Sequence, residues 1–421
     1  MFSSNSGMAA KLARKLEQKR YKVVTVLAGH EFTRVDDRHY TIRPAVRDDY
    51  DALFSALKEQ AQFPEKVLHL WNVGRSGSLE HDLDLALYSP LYLVQAATAQ
   101  PEARPINCMV ISTGLHEITG NEDMSPAKAA FLGLCKTIPW ELPEVICRSV
   151  DIEVPPEDSW IEQSLLDQLV CEVESSELQP VVSYRGARRW IQAFEQARIE
   201  PGKPELVREG GVYLITGGLN NVGFQFADWL ASEARASVVL VDRRSFPLPE
   251  HWDVWPEAHA GDPAAEQINR IRGWERSGAK VLISDADVAD ENQMRSLCQQ
   301  VRKVWGKIDG VIHAAGFSEA GSIASTTRNH LTACLTPKIQ GAHVLSEIFA
   351  GEDLDFLVFC SSLSSVIGQA EQVGYAAAGA FLDSLARRNF FRNRCLMLSI
   401  NWDVWAEPDN AAPLSAKSTS A

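Results

Sequence analysis

The chain has 421 residues, 45% of them apolar, which is enough for a large core and, at about 100 to 200 residues per domain, for two to three domains. A formal net charge of −14 excludes nucleic acid and anionic membrane as principal partners, because both would be repelled. No signal-peptide pattern and no apolar run near the ~18 residues of a bilayer span is present, so a cytoplasmic location is expected.

Eight cysteines (Cys108, Cys135, Cys147, Cys171, Cys298, Cys334, Cys360 and Cys395) are spread singly, without a C-x-x-C pair or metal-ligand spacing. They are expected to be buried thiols in a reducing compartment. His116-Glu117 lacks the second histidine that a helical zinc motif needs on the same face, so no metal is expected.

In chain order, the first 195 residues carry a weak strand–helix rhythm, with apolar runs at 22–27, 66–70, 107–112 and 147–152 and a helix over 83–99. This half has no glycine-rich strand-to-helix turn. Residues 196–210 are charged, contain two prolines and show no apolar period, which predicts an exposed linker. From 206 onward the rhythm is strong, with runs at 212–216, 237–241, 280–283, 310–313, 354–360 and 395–400. Continuous apolar strands alternating with helices predict a parallel sheet covered on both faces.

The fold class is therefore α/β: two tandem Rossmann-like doubly wound parallel sheets, the N-terminal one truncated and without a cofactor site. The expected division is a structural subdomain over 1–205 and a catalytic subdomain over 206–421. Residues 245–264 read as a surface insertion whose tryptophans are packing anchors, and the tail 407–421 as disordered.

Strand 212–216 runs directly into Thr216-Gly217-Gly218-Leu219-Asn220-Asn221-Val222-Gly223 and then a helix. Backbone N–H groups and the helix dipole there can hold a pyrophosphate. The spacing resembles the short-chain dehydrogenase/reductase turn, with Asn221 in place of its middle glycine. Asparagine tolerates a left-handed backbone better than most residues but brings a side chain toward the phosphate.

The second strand ends in Asp242-Arg243-Arg244. An acid there can bind the ribose of NAD, whereas adjacent arginines can pair with the 2′-phosphate of NADP; the arginines favour NADPH. Asp287-Val288 follows the third strand, and Ala314-Ala315-Gly316 follows His313 at the end of the fourth, where small residues let a cofactor lie against the backbone.

The order T-G-G, D-V, H-A-A-G, K-x-x-G, S-S, Y-A-A-A and W across 206–406 resembles the ketoreductases of modular polyketide synthases. The segments LHLW at 68–71, SPAKAAFLGLCKTIPWE at 125–141 and CRSVDIE at 147–153 are similar to the structural subdomain of that family. The resemblance implies reduction of a β-ketoacyl thioester, carried on the phosphopantetheine arm of an acyl carrier protein, with NADPH and with neighbouring synthase domains as partners. It implies Tyr375 as general acid, Ser362 as the residue that orients the carbonyl, and Lys338 as the cation that eases release of the phenol proton and holds the nicotinamide ribose.

Four residues after Tyr375 stands Gly379, where members of the family usually carry asparagine, so a supporting carboxamide is expected to be missing. With Asn220 and Asn221 in the turn, this keeps open a non-reducing domain that serves as scaffold or epimerises an α-substituent. Neither stereochemical class is marked: Ser318-Glu319-Ala320 replaces L-D-D, and Ile367 stands where the other class has tryptophan.

Overall fold

The structure, a computed structural model, describes residues 1–3, 7–100, 105–198, 202, 206–259, 261–317, 319–390 and 395–403. The tail 407–421, Ser318 and part of the 196–210 linker lie outside the described residues.

The first sheet has nine strands: β1 (Phe2–Ser3), β2 (Thr25–Ala28), β3 (Thr33–Arg34), β4 (His39–Ile42), β5 (Lys66–Asn72), β6 (Ile106–Ser112), β7 (Val145–Ile152), β8 (Val181–Arg185) and β9 (Arg188–Ile191). The second has six: β10 (Val212–Thr216), β11 (Ser237–Val241), β12 (Val281–Ser284), β13 (Gly310–His313), β14 (Phe356–Ser362) and β15 (Leu396–Trp402). Their orders are β3-β4-β2-β1-β5-β6-β7-β8-β9 and β12-β11-β10-β13-β14-β15.

The second sheet is parallel throughout, in the doubly wound order. The first follows the same order over β4-β2-β1-β5-β6-β7, with antiparallel β3 and β9 at its edges. Its truncation is local: β1 has two residues, and no helix joins β2 to β4.

Strand β10 shows why the second sheet is buried on both faces. All five residues are buried, and they alternate: Val212 and Leu214 enter a core continuous with that of the N-terminal half, while Tyr213 and Ile215 enter a separate cluster.

The shared core is closed by two helices, Pro126–Glu141 from the first half and Val373–Phe390 from the second. The former is apolar nearly all round, as a helix buried on every side must be. At their closest approach a Cβ on Gly133 would stand 2.2 Å from the backbone nitrogen of Ala377. Only glycine fits there.

Seven cysteines are buried, but Cys171 is exposed on the Trp160–Glu174 helix, which corrects the expectation of eight buried thiols. In the 245–264 segment Trp252 is buried against Phe246, and the indole of Trp255 donates to Asp262, so both act as packing anchors. No helix among the described residues is long and apolar enough to cross a membrane.

Candidate active site

The sheet order reverses between β10 and β13, and ligands of doubly wound sheets bind at the carboxyl ends of strands beside such a reversal. A cleft of about 530 Å³ opens there, lined in part by Gly217, Asp242, Arg243, Arg244, Val288 and Gly316. A cavity of about 510 Å³ in the N-terminal half, lined by Phe54, Leu57 and Val67 among others, contains none of the candidate site residues.

Thr216 ends β10 and lies opposite His313 at the end of β13; its Oγ1 is 2.7 Å from His313 Nδ1. His313 Nε2 lies 3.1 Å from the carbonyl oxygen of Lys338. Burial lowers the pKa of this imidazole to about 4, so it serves as a neutral strut between strand end and lysine segment.

Gly217 takes the left-handed conformation of the turn (φ 65°), and a Cβ there would lie 2.7 Å from the Ala314 carbonyl oxygen. Asn221 is the exposed first residue of the Asn221–Glu233 helix and has no positive φ. Tolerance of a left-handed backbone is therefore not needed at this position.

Asn220 caps that helix: its Oδ1 accepts from the Gly223 N–H at 2.8 Å, and its Nδ2 donates to the Ala314 carbonyl at 2.9 Å. The N–H groups of Asn221 and Val222, in the first helical turn, have no intrahelical acceptor. Leu219 N–H donates to Asp242 Oδ2 at 3.3 Å, which turns that carboxylate onto the glycine turn. Arg244 pairs with Asp242, and Arg243 with Asp287 at 3.1 Å. Both arginine side chains are more than half exposed at the cleft.

Ala315, Gly316 and Val288 line the cleft, and Ala314 supplies its carbonyl to Asn220. The donors and small residues thus fit a nicotinamide dinucleotide: two N–H groups at a helix start for the pyrophosphate, a carboxylate and two arginines at the ribose end, and room along β13.

Lys338 is the third residue of a π-helical turn, Thr336–Gln340, within the helical connection between β13 and β14. Such turns often mark functional sites. Its side chain is buried, and the ammonium has two kinds of partner: it donates to the Cys360 carbonyl at 2.9 Å and lies 4.3 Å from the Tyr375 ring centroid. Tyr375 is the third residue of the Val373–Phe390 helix and is half-buried.

Ser362 ends β14; its Oγ accepts from the Ser364 N–H at 3.2 Å, which leaves the hydroxyl proton available to donate.

A Cβ on Gly379 would meet Ser365 Cβ at 2.8 Å and Ser361 Oγ at 2.9 Å, so a side chain there would have to displace these serines. A different carboxamide, from β15, braces the Ser362 segment. Asn401 Nδ2 lies 3.3 Å from the Ser362 carbonyl, 2.8 Å from Ser365 Oγ and 2.8 Å from Asp383 Oδ2. Asp383 also takes the hydroxyl of Ser365 at 2.7 Å. Asn401 and Asp383 carry no sequence signal, because their role depends on partners brought in by β14.

Among the described residues, ligand atoms of Glu319, His330 and Cys334 lie within 4.8 Å of one another, a group that no regular spacing announces. His330 Nε2 is 3.2 Å from the Glu319 carbonyl oxygen, and the Glu319 backbone bonds the Cys334 thiol, so the three fasten the segment after β13 to the Arg328–Leu335 helix.

Sheet order, glycine turn and the lysine–tyrosine contact define a short-chain dehydrogenase/reductase fold with an added half that lacks the glycine-rich turn. A family model described as "KR domain" matches residues 211–407, and one described as "Beta-ketoacyl synthase-like, N-terminal" matches 1–172. Residues 211–407 thus belong to the ketoreductase (KR) domain family, and the relatives that the chain matches over most of its length are polyketide synthases.

It is 28% identical over 371 residues to a phenolphthiocerol/phthiocerol polyketide synthase of Mycobacterium tuberculosis, covering 85% of this chain and 19% of that protein. It is 26% identical over 391 residues to polyketide synthase PksM of Bacillus subtilis, covering 92% of this chain and 8% of that protein. The chain thus spans less than a fifth of the length of these curated relatives. An N-terminal ketoreductase from the macrolactin assembly line has the same fold, with a TM-score of 0.81 at 24% identity over 96% of this chain and 78% of that one.

Proposed function

We propose that this domain reduces a β-ketoacyl thioester, presented on the phosphopantetheine arm of an acyl carrier protein, to the β-hydroxyacyl thioester with NADPH. The observation that carries the reading is the buried Lys338 ammonium 4.3 Å from the Tyr375 ring centroid, on a side chain that lies against Gly316 of the glycine-turn cleft. In this reading residues 1–205 are a structural subdomain and 206–421 the catalytic one.

When bound, the cofactor supplies hydride. The residues of the chain do the rest. Ser362 Oγ–H donates to the ketone oxygen and fixes its direction. Tyr375 Oη gives its proton to the oxygen as negative charge develops there. Lys338 stabilises the phenolate left behind, at short range and away from water. Asn401 and Asp383 hold the Ser362 segment from below. Arg243 and Arg244, each with one carboxylate partner, retain donors for a 2′-phosphate, which supports NADPH over NADH.

The test is fluorescence titration of the domain with NADPH and NADH, followed by turnover of a β-ketoacyl thioester. Saturable NADPH binding near micromolar concentration, weakened by Arg243→Ala with Arg244→Ala, is the expected result. Absence of binding for both nucleotides at millimolar concentration sinks the reading. Binding without reduction, with exchange of the α-proton, would identify an epimerase instead.

A further inference from the structure

We infer that Glu141, in the half that has no cofactor turn, is a positioning residue for Tyr375. The inference rests on the reductase reading for its effect on turnover, but its geometric part stands alone.

Glu141 is the last residue of the Pro126–Glu141 helix. A carboxylate there meets the negative end of the helix dipole, so the position is unfavourable unless the charge has partners elsewhere. It has two. Oε2 accepts from the Ile323 N–H at 2.6 Å, and Oε1 accepts from the Glu371 N–H at 2.8 Å. Each donor belongs to a different loop of the catalytic half: Ile323 to the segment between β13 and the Arg328–Leu335 helix, Glu371 to the turn that leads into the Tyr375 helix.

The two loops are joined to each other as well. Gly321 N–H donates to the Glu371 carbonyl at 3.0 Å, and Gly321 pairs with Gln372 in a parallel bridge. Glu371 is left-handed (φ 61°), a strained conformation for a residue with a side chain that persists only where its surroundings enforce it. Both polar groups of this residue are held, the N–H by Glu141 and the carbonyl by Gly321. Tyr375 follows four residues later, and the Ala376 N–H already bonds back to the Gln372 carbonyl.

The N-terminal half grips the same structure at further points. The buried Gln95 donates from Nε2 to the carbonyls of Ile323 at 2.6 Å and Thr326 at 2.8 Å, so both polar groups of Ile323 are bound from across the molecule. Lys136 donates to the Ser365 carbonyl at 3.2 Å, and Trp140 to the Ile367 carbonyl at 3.1 Å. Of these, Glu141 alone links the loop after β13 to the turn before Tyr375. Releasing Glu371 frees the first turn of the tyrosine helix to shift the phenol relative to Lys338, and displacements of that kind can cost about 100-fold in rate.

The experiment compares the full chain with Glu141→Gln, which keeps the shape but sets an NH2 donor against one of the two N–H groups, and with Trp140→Phe, which removes a neighbouring bond and leaves both Glu141 bonds intact. Hydrogen exchange is followed in peptides containing Ile323 and Glu371, together with kcat, the KM for NADPH and the thermal midpoint. We expect Glu141→Gln to speed exchange at both sites and to lower kcat by about 10- to 100-fold, with the KM for NADPH and the midpoint near wild type. Trp140→Phe should leave both amides and kcat near wild type.

Unchanged exchange at both amides in Glu141→Gln overturns the clamp, and faster exchange with unchanged kcat overturns its role in positioning. Should the wild-type chain show no turnover, the reductase reading fails by itself, and the clamp is decided by the two amides.

Discussion

The two halves share one frame and differ at the residues that could do chemistry. Each has a π-helical turn in the connection after its fourth strand in the doubly wound order, Asp84–Tyr88 in the first and Thr336–Gln340 in the second; the third residue is Ala86 in one and Lys338 in the other. Each following strand ends in serine, Ser112 and Ser362. The helix that leads into the strand after that, β7 or β15, carries Lys128 as its third residue in the first half and Tyr375 in the second.

Lys128 is buried, donates to the Gly74 carbonyl at 2.7 Å and to Thr113 Oγ1 at 3.2 Å, and burial lowers its pKa. It braces the strand ends where the catalytic half leaves a cleft. Under the proposed function the same order of strands serves support in one half and a site in the other, and the difference lies in a handful of side chains.

The sharpest test of that contrast is Tyr375→Phe. It should lower turnover by about 100- to 10,000-fold with nucleotide binding unchanged, read as NADPH consumption against thioester. Retained turnover would remove the phenol from the proposed chemistry.

Acid gives the next largest effect and bears on both halves. His69 and His313, each the fourth residue of its half's fourth strand in that order, are held by burial at pKa values of about 3 and about 4. An unfolded histidine titrates near ~6.5. Below that pH the unfolded chain takes up protons that the folded one refuses, so stability is full above 6.5 and falls as pH drops toward 4, by up to about 3 kcal/mol for His313. Denaturant midpoints between pH 7 and 4.5 should show this, and His69→Asn with His313→Asn should flatten the slope; an unaltered slope would assign acid sensitivity to other groups.

Gly133→Val forces the two central helices apart and should destabilise the domain by about 1–3 kcal/mol in denaturant unfolding while lowering turnover. Normal stability with normal turnover would contradict the close approach at Ala377.

The smallest effect is expected from Lys128→Met. Replacing a buried, bonded ammonium with an apolar chain of similar length should leave turnover within about twofold of wild type and shift stability by no more than about 1 kcal/mol. Loss of turnover would mean that the first half takes part in the chemistry.

The second sheet was legible because its strands are buried on both faces: the runs at 212–216, 237–241 and 310–313 coincide with β10, β11 and β13. In the first half β1, β3, β4, β8 and β9 escaped notice. They have two to five residues each; β3 and β9 are wholly exposed and carry no apolar run, whereas β8, Val181–Arg185, is buried throughout but is too short to stand out. Lys338, Ser362 and Tyr375 could be named from the order of motifs. Glu141, Gln95, Asp383 and Asn401 could not, because each acts on a backbone or side chain distant in sequence, 230 residues away for Glu141 and Glu371. The spacing of a clamp is set by the fold, whereas the spacing of a turn is set by the chain.

The contact at Gly133 also bears on how the site responds to concentration. Its two helices belong to one polypeptide, so forming it is an intramolecular event, governed by an effective concentration rather than by the amount of protein present. Dilution cannot separate the clamp from the residues it holds, so dilution by itself should not loosen the hold of Glu141 on the Ile323 and Glu371 amides.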